Sequence, residues 1–97
     1  MNFDTVDILS ITTARLFGTV TGLKSVLSFL ANREIETNEI GKLSVKARKV
    51  ILLANIKKFP KERKPLRTND DFLNLRDKYI LELGETTNLP TDLKGTL

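Results

Sequence analysis

From Thr37 to Ile56 the chain carries its longest stretch of helical periodicity. Ile40, Leu43, Ala47, Val50, Ile51 and Ala54 recur at the spacing of a single helix face. Val45, Leu52, Leu53 and Ile56 widen that stripe, so the last turns are apolar around most of the circumference. Such a helix normally lies at the centre of a fold, covered on more than one side by other helices or by a second subunit. Thr37 is placed to cap it, and Glu39 in its first turn suits the positive end of the helix dipole. In a chain of 97 residues the expectation is therefore all-α. It is a small bundle of three or four helices around residues 37–56, assembled as a homo-oligomer and most simply a dimer.

The remaining elements follow from caps and stops. Residues 1–9 read as an irregular or extended arm, with Phe3, Val6, Ile8 and Leu9 available to dock. Ser10, Ile11, Thr12 and Thr13 are rich in capping hydroxyls, and a short helix is expected from about Thr12 to Phe17 with Gly18 as its stop. Thr21 is placed to cap a second helix, about Gly22 to Asn32, whose Leu23, Val26, Leu27 and Leu30 share one face. Pro60 and Pro65 end the long helix and keep the following segment extended. Thr68, ahead of Asp70 and Asp71, opens a fourth helix. Phe72, Leu75, Tyr79 and Leu83 line one side of it, and Gly84 stops it. Residues 1–85 thus read as one helical domain, and residues 86–97 as a loosely ordered tail.

Charge is distributed unevenly. Residues 42–67 contain ten Lys or Arg (Lys42, Lys46, Arg48, Lys49, Lys57, Lys58, Lys61, Arg63, Lys64 and Arg67) and one acid, Glu62, for +9 in 26 residues. The flanks are mildly acidic, and the whole chain carries only +4. That block is denser than solubility requires and marks an anion-binding sector for nucleic-acid phosphates or an acidic protein face. Phe59 is its one aromatic residue, too little for a base-stacking platform. A second candidate anion site is Ser10, Thr12, Thr13 and Arg15, where hydroxyls and free N–H groups at a helix start meet a guanidinium. Plain capping is the competing explanation of the same residues.

Several classes of chemistry are excluded by residue type. With no Cys and no His there is no thiolate, disulfide or imidazole, and with them go the usual nucleophile–base pairs. Asp70, Asp71, Asp77 and Glu82 are not spaced to converge on one ion, so no metal and no cofactor are expected. Neither a Gly-rich phosphate loop nor a dinucleotide fingerprint occurs. No leader or membrane-spanning run is visible, which points to a cytoplasmic protein.

The stretch Ile8-Leu9-Ser10-Ile11-Thr12-Thr13-Ala14-Arg15-Leu16 resembles the LSxTTGRL signature of a family of small uncharacterised bacteriophage and prophage proteins. Those proteins also carry a THQ-apolar-PR stretch opening a helix. Thr37-Asn38-Glu39-Ile40-Gly41-Lys42 is similar to it, at similar spacing. The likeness covers about residues 7–56. Ala14 stands where the motif has Gly, and Asn38-Glu39 where it has His-Gln. What the resemblance implies is a phage context, in which small proteins often bind and neutralise host factors. The expected function is accordingly non-enzymatic. The protein engages an anionic partner in the host cytoplasm, either nucleic-acid-binding host machinery or nucleic acid, through the central basic sector, and inhibits host defence. The alternative is an oligomer sequestering a small phosphorylated ligand, such as a signalling nucleotide.

Overall fold

Residue 5 is where the fold departs first from the sequence reading. In the computed structural model, which describes residues 1–60 and 66–97, a strand β1 (Asn2–Asp4) leads directly into helix α1 (Thr5–Thr13). Helix α2 spans Val20–Ala31, α3 spans Ile40–Ala54 after a single 3₁₀ turn at Thr37–Glu39, and α4 spans Asn69–Leu83. Strand β2 (Thr86–Asn88) pairs antiparallel with β1, with Phe3 opposite Thr87, so a two-stranded sheet joins the two ends of a helical bundle.

The central helix is α1, not α3. Ile8, Leu9 and Ile11 are fully buried, and α1 packs against α2, α3 and α4. The short helix expected at 12–17 is thus corrected: it begins at Thr5 and ends at Thr13. The stop is Ala14, held in the left-handed region at φ 58°, and not Gly18. α2 starts two residues earlier than expected, because Thr19 and not Thr21 caps it by accepting a hydrogen bond from the Gly22 amide. Thr37 does not cap α3, because the preceding 3₁₀ turn is closed by a capping box of Glu36 and Glu39; α4 matches its signals better. The Thr68 hydroxyl accepts from the Asp71 amide, and Gly84 ends α4 at φ 90°.

α3 covers the core with one face only. Leu43, Ala47 and Ile51 are buried, whereas Val45 is 52% and Leu53 85% exposed. The wide apolar circumference therefore does not mark a helix enclosed within this chain. Leu53→Asp is expected to fold with stability within about 0.5 kcal/mol of the parent, as at other open positions. A loss of many degrees in thermal melting would show that something covers this side.

Residues 86–97 are docked and not loose. Thr87 and Leu89 are buried, Leu93 and Leu97 pack against the core, and the Leu97 amide donates to the Leu30 carbonyl at 3.1 Å. α4 is held through aromatic contacts. The Phe17 ring stacks on Phe72 at 4.9 Å between centroids and meets Tyr79 edge-on at 6.2 Å. No helix among the described residues is long and apolar enough to cross a membrane.

Candidate functional site

The basic residues divide by what their side chains do. Lys57 is structural. Its ammonium donates to the Leu83 carbonyl, to the Thr86 carbonyl at 3.1 Å and to the Thr87 hydroxyl at 3.2 Å. It thereby satisfies an orphan carbonyl at the α4 C-terminus and places a cation at the negative end of the dipole. Arg48 does the same for α1, its Nε donating to the Ile11 carbonyl at 3.0 Å. Lys58 and Arg67 are exposed. Lys61, Arg63 and Lys64 lie outside the described residues. Phe59 is buried, so no aromatic ring in the described part of the block is available for a base.

Lys42, Lys46 and Lys49 are different again. They follow helical spacing along α3, all three are exposed, and no carboxylate among the described residues comes within 4 Å of them. The row starts beside a shallow polar cleft of about 360 Å³ that includes Arg33, Asn38 and Glu39. There the acid is already engaged. Glu39 accepts from Arg33 at 2.9 and 3.1 Å and from the Glu36 amide at 2.8 Å, and these bonds hold its carboxyl down at about 2. Glu39 is thus spent on closing the turn before α3 and does not neutralise the lysines.

The second candidate site has a geometry the sequence did not suggest. Ser10, Thr12 and Thr13 lie in the last turns of α1, at the negative end of the helix and not at its start. The Thr13 hydroxyl donates to the Leu9 carbonyl at 2.6 Å, and Thr12 points to the same carbonyl at 3.4 Å. The Ser10 hydroxyl donates to the Val6 carbonyl and accepts from the Phe17 and Gly18 amides at 2.9 and 3.2 Å. The Ser10 hydroxyl, and the Thr13 hydroxyl through the Arg15 amide, thus close the α1–α2 turn from within the core, whereas Thr12 bonds back within α1. Of the four residues, Arg15 alone turns to the surface.

Arg15 and Arg48, far apart in sequence, are brought to one cleft of about 300 Å³. Ala14, Leu16, Leu23 and Val45 supply apolar walls, Ser10 and Ser44 line it too, and Gly41 lies at its edge. Leu16 and Val45 are about half exposed there. Gly41 is unusual. A Cβ built on it meets nothing within 4 Å, so the fold does not require glycine, although glycine in a helix costs up to about 1 kcal/mol against alanine. Sequence reading missed Leu16, Gly41 and Val45 as site residues. Their signal is only that apolar and glycine positions fall off the buried face of α3 and beyond the end of α1.

No protein-family model matches the chain, and neither a curated protein nor a solved structure matches it.

Proposed function

We propose that this is a non-enzymatic binding protein that holds an acidic surface of a partner protein against the outer face of α3. The observation that carries the reading is the unneutralised row Lys42, Lys46 and Lys49, presented on a rigid helix with Arg48 beside it. Flexible surface lysines usually sit among acids. Here +9 is concentrated in residues 42–67, and the nearest acid of the cleft is engaged elsewhere. A protein partner is favoured over nucleic acid because the exposed apolar side chains Val45 and Leu53 lie on the same helix, and because Phe59 is buried. Apolar contact beside charge is the composition of a protein interface, whereas single strands are gripped by stacked aromatics. A small phosphorylated ligand would call on Thr12 and Thr13, whose hydroxyls are bonded within α1.

The resemblance to the phage signature supplies the context: the partner is a host nucleic-acid-handling protein in the cytoplasm, and its acidic face is blocked. The conformation of Ala14 supports the likeness, since the position where the motif has glycine is left-handed here and glycine is the residue that fits such a helix end.

Changing Lys42, Lys46 and Lys49 together to Gln tests the reading. The fold is expected to persist, since each is a surface change of about 0.5 kcal/mol or less. Capture of the partner from nuclease-treated host lysate is expected to weaken by about tenfold or more at physiological salt, with a shallower salt dependence. Capture that is unchanged by the triple substitution, or that vanishes on nuclease treatment of the parent, rules the reading out.

A further inference from the structure

We infer that the cleft between the end of α1 and the first half of α3 is an anchor site. It receives a carboxylate side chain, with an apolar neighbour, from an acidic segment of the protein partner. This rests on the reading of α3 as the partner-binding face and adds a specific pocket to it.

Two guanidinium groups set the charge of the occupant. Arg48 is oriented by its Nε bond to the Ile11 carbonyl. That bond leaves both Nη groups, the fork that matches a carboxylate, with no hydrogen bond among the described residues. The Arg15 side chain also has no hydrogen bond among the described residues, and no carboxylate there comes within 4 Å of either arginine. Both arginines line one cleft that has no acid among its lining residues, so an anion placed there is stabilised by both.

The walls set the rest. Leu16, Leu23 and Val45 offer apolar surface that an inorganic ion or a bare phosphate would leave uncovered. At about 300 Å³ the cleft is at the lower end of ligand sites. It has room for an acidic side chain and an adjacent aliphatic one, and its arginines are of the residue type that anchors interface hot spots. Gly41 is an independent sign. The helix would be better without it and nothing in the fold fills the space above it, so its use lies in letting an incoming backbone approach α3 closely.

The probe is the capped peptide acetyl-Leu-Glu-Leu-amide, titrated into the full chain and followed by two-dimensional amide NMR. Its counterparts are the same peptide with Gln in place of Glu, and inorganic phosphate. The Glu peptide is expected to shift the amides of Ala14, Leu16, Gly41 and Val45 saturably in the millimolar range, with the Gln peptide at least about tenfold weaker. Gly41→Leu fills the space with a better helix former. It is expected to raise or preserve the melting temperature while abolishing those shifts. The assignment is overturned if the Glu peptide gives no saturable shift there, if the Gln peptide binds equally, if phosphate alone reproduces the shifts at the same concentration, or if the folded Gly41→Leu protein binds as the parent does. Because the peptide is read without the partner, the anchor can fail while the Lys42–Lys46–Lys49 row still holds, and the row can fail while the anchor stands.

Discussion

Removal of residues 86–97 is expected to abolish cooperative folding. Three losses coincide. β1 loses its only strand partner among the described residues, and Thr5 loses its hydroxyl contact with Thr87 at 2.8 Å. The core loses Leu89, fully buried, and the partial cover of Leu93 and Leu97. The Lys57 ammonium keeps the Leu83 carbonyl but loses Thr86 and Thr87. Removing a single buried leucine side chain costs about 2–5 kcal/mol. A domain of this size has about 5–15 kcal/mol in all, so the sum of the three consumes most or all of it. A graded control is Leu89→Ala, expected to lower the melting temperature by roughly 4–8 °C for each kcal/mol lost. A truncated protein that melts cooperatively within a few degrees of the parent would show that the sheet and Leu89 are dispensable.

The same segment shows where sequence reading stops. α2 and α4 were legible because their signals are local. Leu23, Val26, Leu27 and Leu30 keep one period, and Thr68 and Gly84 mark the ends of α4 by their own chemistry. β2 is three residues long, and its register is set by residues 2–4, more than eighty positions away; no window of sequence contains both partners. α1 was misread for a different reason. Asp7, Ser10, Thr12 and Thr13 look like turn and cap residues, yet each is buried in the central helix. Their polar atoms are satisfied by α1's own carbonyls and by amides of the following turn, as buried polar groups must be. Lys57 repeats the lesson in the site: a lysine in a basic run reads as part of an anion-binding sector, and its partners across the fold make it structural. Of the candidate residues, Lys42, Lys46 and Lys49 lie together and exposed along α3 as their spacing predicts, because helical spacing alone places them. The pairing of Arg15 with Arg48 needed the packing of α1 against α3.

Gly22→Ala, a change that ordinarily stabilises a helix by close to 1 kcal/mol, is expected to destabilise this protein by about 3 kcal/mol, from overpacking and a broken buried hydrogen bond. Asp7 is the cause. Its carboxylate is buried under the first turn of α2, where Oδ1 accepts from the Thr19 amide at 3.3 Å. Gly18 and Gly22 close over it: a Cβ on Gly22 would stand nearer than 3.0 Å to both carboxylate oxygens, and one on Gly18 nearer than 3.0 Å to Oδ1. An added methyl must therefore push α2 off α1 or turn Asp7 away from Thr19. With Asp7→Ala already in place the space is open, and the same Gly22→Ala change is expected to cost less than about 1 kcal/mol, a coupling of at least about 2 kcal/mol for two residues in direct contact. The acid leaves a pH signature as well. Burial raises the Asp7 carboxyl above its ordinary 3.8, against the opposing pull of the Thr19 amide. A raised acid favours the fold most below its unfolded value, and that contribution fades as pH climbs from about 3.8 through the folded value. Variants carrying Asp7→Ala are expected to lack this component of the stability profile. Denaturant unfolding of the four proteins of the cycle, at acid and at neutral pH, measures both effects; an equal cost of Gly22→Ala with and without Asp7 would mean that the two helices do not meet through this carboxylate.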